Sequence, residues 1–505
     1  MLDNLKFAQY VNEERKKLIK STRERGVYVE DNATLSEVVA RNSEIQPYEA
    51  TSPDKVSVTF LDADGTLLKR EYLDIGGTAT APSNPTLDSD YLTFSEWSDT
   101  ELTNITESKT IYATYTTKDN ATYIFIRIPT ANKAITLRFG GTITSVDWGD
   151  GTTDATLSHT YSAIGDYVFL VVGGNSINTL ILNNDAGNSY VLKCYFSNTI
   201  KSLDYYTFRS SNRLLCVILS NSITNIGNYA FDSCHSLLNI ILPDSVISIK
   251  RSAFYNCTSL SNIILSNNLN TIGSEAFRGC TILQTIKLPS SISLSGIDVA
   301  PFYECYSLSN IKLPDNMRNI SKDMFYQCKS LTNITLPANL TTIEEGGFSN
   351  CVTLSNITLP STLISIGKSA FYNCCLLNNI ILPDSVMDIG EQAFSGCTSL
   401  SNITLPINIT KLSSYVFSSC SSLKSITLPS NIIDISNGTA FSGCSNLEKL
   451  VINANIVLPI NSTAFDDVAY NIKFYVPDNL VEDYKVATNW VNFADRIYPL
   501  SSLGV

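Results

Sequence analysis

The chain carries little charge, and most of that charge is negative. Only 16% of its 505 residues are charged, and 47 acidic residues outnumber 35 basic ones, which gives a net charge of −12 and a pI of about 4.8. Binding to nucleic-acid phosphates needs a basic footprint, so a nucleic-acid partner is not expected. The polar surface must consist mostly of Ser, Thr and Asn, which suits contacts with sugars or proteins.

Long apolar runs are also missing. The first twenty residues, MLDNLKFAQYVNEERKKLIK, have no apolar core of signal-peptide length, and no later stretch could span a bilayer. We therefore expect a protein that is made in the cytosol, is not exported by the usual route and does not insert into a membrane. In that compartment the 13 cysteines are expected to be thiols.

Phenylalanine recurs with a period of 23 residues, with small insertions. The positions are Phe208, Phe231, Phe254, Phe277, Phe302, Phe325, Phe348, Phe371, Phe394, Phe417, Phe441 and Phe465. Six residues after most of them comes Leu, then Ile, then Leu-Pro, as in AFSGCTSLSNITLP at 393–406. A fixed period of this length predicts a solenoid whose coils each add one short strand to a parallel sheet, with Ile, Leu and Phe inside.

The recurring pattern AFxxCxxLxxIxLP resembles the leucine-rich repeats of BspA-like surface proteins, and we expect the solenoid to occupy 176–470. The segment FYVPDNLVEDYKVATNWVNFADRIYPL, at 474–500, looks like the C-terminal cap of that family. We expect 471–505 to form this cap, with a strand, a short helix capped by Asp478 or Asn479, and Trp490 over the last coil. The resemblance implies an adhesin that is not an enzyme and has no cofactor.

Ten of the cysteines lie three residues after a Phe of the repeat. They are Cys234, Cys257, Cys280, Cys305, Cys328, Cys351, Cys374, Cys397, Cys420 and Cys444. Zinc sites use closely paired ligands, and disulfides need side chains that converge, whereas residues at one coil position point the same way. We predict a column of buried thiols and no metal site.

A polar face is predicted on the concave side of the repeat sheet, beside the inward Ile. The candidate binding residues are Asn239, Asn262, Lys287, Asn310, Lys312, Asn333, Thr335, Asn356, Thr358, Asn379, Asn402, Thr404 and Thr427. One interpretation is an Asn ladder that bonds along the stack. The other is a weakly charged binding face, and both can hold together.

The N-terminal residues 1–48 are predicted to form a small helical module, with a capping box from Thr34 to Glu37. The stretch LIKSTRERGVYVEDNATLSEVVARNSEI, at 18–45, resembles a short module near the start of bacteriophage tail-fibre and baseplate-associated proteins. The resemblance implies attachment to other virion proteins through residues 1–50. The alternative is an ordinary helical hairpin.

The stretch VSVTFLDADGTLL, at 56–68, reads like the nucleophile loop of haloacid-dehalogenase-type phosphatases, with Asp62 as the nucleophile. However, strands are predicted at 56–61, 66–75, 91–97 and 110–116 with no helix between them, which excludes a doubly wound sheet. Residues 56–116 are instead similar to the β-grasp repeat of internalins. Asp62 and Asp64 are then turn residues, and Asp64-Gly65 signals a type I′ turn.

Residues 119–175 contain VDWGDGTTDATLSHTYSAIGDYVFLVV, which resembles a PKD-type β-sandwich. The resemblance implies a turn at 148–151, strands starting at His159 and Gly165, and a packing role for His159. Asp150 and Asp154, with Lys133 upstream, also mimic the remaining acidic and phosphate-binding residues of a phosphatase. The sandwich explains the His-Thr-Tyr and Gly-Asp-Tyr sequences as well, whereas the phosphatase explains only the acids.

Together these patterns predict a mainly β, multi-domain protein whose parts are binding or spacer modules. Our first hypothesis is a virion protein, a tail or head fibre that is assembled in the host cytoplasm and presents the repeats to a glycan or protein receptor on the host. A homo-oligomer is expected, with a trimer favoured. The alternative is a bacterial cell-surface adhesin exported by an atypical route, and the remote alternative is the phosphatase.

Overall fold

The computed structural model describes residues 55–174, 176–179, 190–290, 292, 299–436 and 439–503, so the module predicted at 1–48 lies outside the described residues. The described chain is mainly β, with the α-helix α1 (Val481–Val486) and 3₁₀ turns at Lys118–Asn120, Asp478–Leu480, Trp490–Arg496 and Leu500–Leu503. None of its described helices is long and apolar enough to cross a membrane. The chain divides into two compact units, 1–266 and 267–505.

The described part of the first unit begins with a four-stranded sheet. Its strands are β1 (Lys55–Leu61), β2 (Leu67–Asp74), β3 (Leu92–Trp97) and β4 (Lys109–Thr117), in the order β2-β1-β4-β3. Strand β1 is antiparallel to β2 and parallel to β4, and β3 is antiparallel to β4. The four predicted strands are confirmed to within one residue at each end, because their alternating patterns bury Val58, Phe60 and Ile111 on one face. The β-grasp identity of this sheet stays a prediction.

Seven strands follow in the segment compared with a PKD-type sandwich. They are β5 (Thr122–Ile128), β6 (Lys133–Thr136), β7 (Arg138–Gly140), β8 (Ile143–Asp147), β9 (Thr153–Asp154), β10 (Ser158–Tyr161) and β11 (Gly165–Gly173). The order β5-β11-β8-β9 makes one antiparallel run, and β6 pairs with β10. The predicted strands at His159 and Gly165 are confirmed, and Gly149 and Gly151 turn the chain at φ 74° and 92°.

The repeat of the first unit adds strands to β5 of this antiparallel run and to β7. Its strands are β12 (Ser176–Thr179), β13 (Val191–Tyr195), β14 (Ser202–Leu203), β15 (Cys216–Ile218), β16 (Asn225–Ile226), β17 (Asn239–Ile241), β18 (Ser248–Ile249) and β19 (Asn262–Ile264). Strand β13 pairs with β5 on one side and β15 on the other, and β12 pairs with β7 and β14. Main-chain hydrogen bonds therefore cross the predicted division at 176.

The second unit repeats the same coil up to a terminal cap. The strands are β20 (Thr271–Ile272), β21 (Thr285–Lys287), β22 (Asn310–Lys312), β23 (Asn319–Ile320), β24 (Asn333–Ile334), β25 (Thr342–Ile343), β26 (Asn356–Ile357), β27 (Ser365–Ile366), β28 (Asn379–Ile381), β29 (Asp388–Ile389), β30 (Asn402–Thr404), β31 (Ser425–Leu428), β32 (Lys449–Ile452), β33 (Lys473–Val476) and β34 (Ile497–Pro499). One eight-stranded parallel sheet has the order β24-β26-β28-β30-β31-β32-β33-β34, and a second sheet has the order β23-β25-β27-β29.

Each coil is filled by its Ile, Leu and Phe side chains. Phe371, Phe394 and Phe417 are fully buried, and their rings stack at centroid distances of 5.4 and 5.8 Å with interplanar angles of 3° and 11°. Burying one such side chain contributes about 2 kcal/mol. The predicted solenoid, with Ile and Leu inward and Phe opposite, is confirmed.

The segment around each Phe is held to the next coil by backbone hydrogen bonds. Gln392 and Gly396, two residues before and after Phe394, have φ of 59° and 75°. With the chain turned at these two residues, the amides of 392, 394 and 396 all donate to carbonyl oxygens of the next coil, at 2.8–2.9 Å. The far side of the coil thus satisfies its backbone groups without a regular strand.

The cysteine column consists of buried free thiols, as predicted. The sequence did not reveal a partner that these thiols have: the carbonyl oxygen of the Phe one coil earlier, to which Cys374 donates at Phe348 and Cys397 at Phe371, both at 3.2 Å. Nine described cysteines of the column make this contact, at 3.0–3.3 Å. A small apolar side chain with a weak donor fits this position.

The end of the stack is covered as predicted by Trp490. This side chain is fully buried, lies 5.8 Å from the ring of Phe465 and donates to the carbonyl oxygen of Leu458 at 2.7 Å. The predicted helix cap is wrong, because no side chain caps the short helices here. The Asp478 carboxylate instead accepts a hydrogen bond from the backbone N–H of Ser501 at 3.0 Å.

Candidate functional site

The second unit presents two rows of side chains on the open face of its repeat sheet, on either side of the buried Ile. The first row is Thr285, Asn310, Asn333, Asn356, Asn379, Asn402, Ser425, Lys449 and Lys473, and the second is Lys287, Lys312, Thr335, Thr358, Ile381, Thr404, Thr427, Val451, Tyr475 and Tyr498. We call these two rows the outward strip. Parallel pairing and one bridge, Lys312 with Thr335, align the members of each row from strand to strand.

The predicted candidate residues of the second unit all lie exposed on this strip. They are Lys287, Asn310, Lys312, Asn333, Thr335, Asn356, Thr358, Asn379, Asn402, Thr404 and Thr427. The structure brings them together because alternate residues of a strand point to opposite faces, so the buried Ile forces both neighbours outward. That they bind a ligand stays a prediction.

The Asn side chains of the strip bond locally and not along the stack. Asn333, Asn356 and Asn402 each donate through Nδ2 to the hydroxyl of the residue just before them, at 3.3–3.5 Å. In the described part of the strip no amide bonds the Asn of the next coil, so the ladder interpretation does not hold for this row. One amide N–H and the amide oxygen of each Asn remain for other partners.

Sequence reasoning missed part of the strip. Lys449 and Lys473 are exposed members of the first row, and Ile381 is 74% exposed in the second. Counting the 23-residue period onward from Asn402, with its one-residue insertions, would have found both lysines. Ile381 could not be recognised by its residue type, because the inward Ile380 and the outward Ile381 are both isoleucine and stand side by side.

Asn239, in the first unit, does not face solvent as expected. It is 5% exposed, and its Nδ2 donates to the carbonyl oxygen of Ala63 at 2.7 Å. Asn262, one coil later, is half-buried and donates to Ser261 at 3.3 Å. The same coil position is therefore covered at Asn239, where the β1–β2 turn lies against it.

The first sheet covers this part of the repeat through an apolar contact. Tyr195, Cys216 and Ile218 are outward residues of β13 and β15, and they pack in one cluster with Ala63, Leu92 and Tyr115. Ile241 lies against the same cluster. The outward positions before 265 are thus mostly apolar, and this is the signal in the sequence that a cover exists.

A half-buried carboxylate lies at the edge of this contact. Asp88 accepts hydrogen bonds from Lys193 Nζ, at 2.7 Å, and from the Tyr195 hydroxyl. Burial favours the neutral acid, but these two donors outweigh it and hold the pKa of Asp88 below its ordinary value. These two hydrogen bonds thereby join Asp88 to strand β13 across the contact.

Asp62, the candidate nucleophile of the phosphatase interpretation, is a turn residue. It is 6% exposed, accepts a hydrogen bond from the Tyr115 hydroxyl at 2.6 Å, and its pKa is raised by burial. Its carbonyl oxygen accepts from Gly65 N–H at 2.9 Å, while Asp64 Oδ1 accepts from Thr66 N–H at 2.9 Å.

The type of this turn was predicted wrongly. A type I′ turn needs positive φ at both central residues, but only Gly65 has it, at 91°. The N–H of Asp62 also donates to the carbonyl oxygen of Thr66 at 2.7 Å, so that Asp62 lies opposite both Gly65 and Thr66. The turn is therefore a tight turn over 62–65 with a bulge at Gly65.

The other acids of the phosphatase interpretation are also engaged locally. Asp150 lies 2.7 Å from His159 Nε2, and His159 stacks on Trp148 at 4.9 Å, which confirms its packing role. Asp154 accepts from the Thr156 hydroxyl at 2.6 Å. Among the described residues no group of three or more His, Cys, Asp or Glu could hold a metal ion.

The sequence model of the BspA type leucine rich repeat region matches this chain in six copies. The matches cover 151–246, 181–297, 295–383 and 364–484, which together run from 151 to 484 and exceed half of the chain. No curated protein matches it.

Solved leucine-rich repeat structures are similar to the chain at low identity. A leucine-rich repeat protein from Bacteroides ovatus is 25% identical over 59% of this chain and 97% of its own, with a TM-score of 0.34. A leucine rich cell surface protein from Faecalibacterium prausnitzii is 24% identical over 58% and 89%, with a TM-score of 0.31. The pneumococcal vaccine antigen PcpA is 19% identical over 65% and 84%, with a TM-score of 0.44.

Proposed function

The chain belongs to the BspA-type leucine-rich repeat family, and from that premise we propose that it is a non-enzymatic adhesion protein whose outward strip binds a receptor on a host cell. The observation that carries the proposal is the strip itself. Strands such as β22 and β30 place an exposed Asn and an exposed Lys or Thr on either side of a buried Ile. A rigid surface with many equivalent polar contacts loses little conformational freedom on binding.

Affinity would come from many modest contacts along the strip. Hydrogen bonds exchanged with water contribute about 0.5–1.5 kcal/mol each, so a single Asn or Thr would not decide binding. Several copies of the chain in one particle or on one surface would raise the total strength through avidity. We propose a homo-oligomer, with a trimer favoured.

The finer proposal is a virion fibre, assembled in the host cytoplasm and attached to other virion proteins through residues 1–50. Its support is the resemblance of 18–45 to a module of bacteriophage tail-fibre and baseplate-associated proteins. The second candidate is a bacterial cell-surface adhesin, favoured by the family itself, since BspA-like repeats are those of surface proteins. Both candidates use the strip in the same way and differ in where the chain is carried.

Immunogold electron microscopy of a lysed culture distinguishes the two carriers. The antibody is raised against the full chain and cleared of other reactivities on a strain that lacks the gene. Gold on fibres of tailed particles is the expected result. Gold on cell envelopes, with unlabelled particles, would contradict the virion proposal and leave the surface adhesin.

Adhesion of the full chain to host cells tests the strip. In the blocked variant, Asn356→Trp and Thr358→Trp place two bulky side chains on the strip. The control variant carries Met387→Trp and Thr410→Trp, which are exposed residues beside the second sheet of the same unit. We expect the blocked variant to lose at least about tenfold in adhesion, as steric block of a central contact does, and the control to adhere like the wild type. Equal adhesion of both would show that the strip is not the binding surface.

A further inference from the structure

We propose that the outward strip binds an acidic polysaccharide laid across its strands; this inference rests on the proposed function and names its ligand class. The charge of the strip differs from that of the molecule around it. The chain has more acidic than basic residues, 47 against 35, yet neither row of the strip contains Asp or Glu. The charged residues of the two rows are Lys287, Lys312, Lys449 and Lys473.

These lysines stand in two pairs of like charge. Lys287 lies directly opposite Lys312 in the register of β21 and β22, and Lys449 lies opposite Lys473 in that of β32 and β33. All four are exposed. Neighbouring strands are about 4.8 Å apart, so each pair concentrates two positive charges that repel each other unless an anion lies between them.

Two lysines on the other side of the coil are neutralised by carboxylates. Lys322 pairs with Glu345 at 3.0 Å, and Lys368 pairs with Glu391 at 2.9 Å, each in the next coil. Within the described residues no carboxylate lies in ion-pair distance of Lys287, Lys312 or Lys449. Lys473 lies over the ring of Tyr498, 5.7 Å from its centroid. The strip therefore presents positive charge that the protein itself does not neutralise.

The two pairs lie far apart on a continuous surface. Six strand steps separate Lys312 on β22 from Lys449 on β32, through β24, β26, β28, β30 and β31, which is about 29 Å at 4.8 Å a step. A ligand that neutralises both pairs must be extended and must carry anionic groups along its length. A linear polyanion meets this requirement, whereas a small anion occupies one pair only.

The middle of the strip favours a hydroxyl-rich polymer over an acidic polypeptide. Between the lysine pairs the rows offer amides and hydroxyls, which both donate and accept hydrogen bonds. The exposed apolar residue there is Ile381, and the tyrosines Tyr475 and Tyr498 lie at one end, tilted with centroids 5.8 Å apart. Protein interfaces concentrate their energy in a buried cluster of aromatic and Arg side chains, and the middle of the strip has none. Carboxylate, sulfate and phosphate esters on a glycan share the chemistry that the lysines recognise.

The test measures binding of the full chain to immobilised polymers over a range of NaCl concentrations. Dextran sulfate and polygalacturonate are the acidic probes, and they separate sulfate from carboxylate recognition. Dextran is the neutral probe and poly-L-glutamate is the polypeptide probe. The strip variant carries Lys287→Gln, Lys312→Gln, Lys449→Gln and Lys473→Gln. The control variant carries Lys322→Gln, Lys329→Gln, Lys368→Gln and Lys411→Gln, which are exposed lysines outside the strip, so both variants have the same net charge.

We expect the wild type to bind at least one acidic polysaccharide and not dextran, with affinity that falls as salt rises. The strip variant should bind at least about 30-fold more weakly, as four exposed charge pairs imply, and the control variant should change by about threefold or less. Circular dichroism of both variants should match the wild type. Equal losses in the two variants, no binding to either acidic polysaccharide, or equally tight binding to poly-L-glutamate would each overturn the inference.

Host-cell adhesion separates this inference from the function on which it rests. If the strip variant adheres normally while the Asn356→Trp and Thr358→Trp variant does not, the adhesion function stands and the acidic ligand is wrong. If the Trp variant also adheres normally, the proposed function itself fails. Parallel losses in the strip variant and the Trp variant support both.

Discussion

Ile218 and Ile381 occupy the same position of the repeat and have opposite surroundings. Both follow the inward residue of their strand, and the 23-residue period, with one two-residue insertion, leads from one to the other. Ile218 is 7% exposed because the first sheet packs on it, whereas Ile381 is 74% exposed on the outward strip. The repeat thus determines which way a side chain points, and the rest of the molecule determines what it meets there.

The inner side of the coil shows no such difference between the units. Phe231 and Phe254 stack at 5.0 Å in the first unit, and Phe348 and Phe371 stack at 5.4 Å in the second. The thiol-to-carbonyl contacts are also the same, at 3.1 Å for Cys257 and 3.2 Å for Cys374. Function can therefore vary on the outward face while the stack stays constant.

The largest predicted effect concerns the buried thiols, which should behave alike in the two units. Burial raises the pKa of Cys234 and Cys257 in the first unit and of Cys351 and Cys374 in the second well above its ordinary value, and that of Cys444 to about 12. Each such thiol stabilises the fold fully below the unfolded pKa of about 8.5, and this contribution falls by about 1.4 kcal/mol per pH unit above it. Urea denaturation should show stability falling steeply between pH 9 and 11.

Thiol labelling gives the matching control. At pH 8 the native chain should react quickly at the partly exposed Cys375, while the twelve buried thiols react only on unfolding. Cys375→Ser should leave the alkaline loss of stability unchanged. Stability that is flat from pH 8 to 10.5 would contradict the buried thiols, and rapid labelling of the column in one unit only would show that the two interiors differ.

The next effect contrasts the outward faces. Ile218→Asp places a charge in the apolar contact and should lower the free energy of unfolding of the first unit by about 3 kcal/mol. Thr358→Asp, at the same coil position in the second unit, should change it by about 0.5 kcal/mol or less. Urea denaturation followed by tryptophan fluorescence reads the first unit well, since Trp97 and Trp148 lie there. Similar effects of the two substitutions would mean that Ile218 is not covered.

A smaller contrast concerns the Asn row. Asn239→Ala removes the hydrogen bond to Ala63 and leaves a buried carbonyl unpaired, which should cost about 1–2 kcal/mol. Asn356→Ala removes an exposed amide and should stay within about 0.5 kcal/mol of the wild type. Differential scanning calorimetry of the two variants compares the losses directly. A larger loss for Asn356→Ala than for Asn239→Ala would contradict the burial of Asn239 and the exposure of Asn356.

The smallest effect concerns Asp62. Because burial raises its pKa, this carboxyl favours the fold below its unfolded pKa of about 3.9, and the advantage is lost as pH rises. Asp62→Asn keeps an acceptor for Tyr115 and should therefore stabilise the chain slightly at pH 7, by about 0.5 kcal/mol, and not at all below pH 4. A magnesium-dependent hydrolysis of a phosphate ester that this substitution abolishes would instead revive the phosphatase interpretation.

Much of the fold could be predicted because the repeat constrains it locally. The period, the inward Ile and Leu, the buried thiols and the Trp490 cover all depend on which residue types recur, and each is confirmed. The turn at Gly65, the partner of Asp478 and the burial of Asn239 could not be predicted in this way. They depend on contacts between residues far apart in the chain, such as Ala63 with Asn239, which leave no periodic pattern.

The part of the candidate site that lies in the second unit could be predicted for the same reason. Asn310, Asn356 and Thr404 follow directly from the alternation of strand residues. What the alternation cannot show is whether another module lies against the face, as it does at Ile218, or how charge is distributed along it. The lysine pairs at 287/312 and 449/473 became visible only when the strand register placed their members side by side.

Hydroxyl-radical footprinting of the unmodified full chain, read by mass spectrometry, tests the central comparison most directly. Ile218 and Ile381 are the same residue type at the same coil position, so their intrinsic reactivities match and their oxidation rates report exposure alone. We predict rapid oxidation of Ile381 and oxidation of Ile218 at least about tenfold slower, in line with 74% and 7% exposure. Equal rates would contradict a covered face in the first unit and an open one in the second.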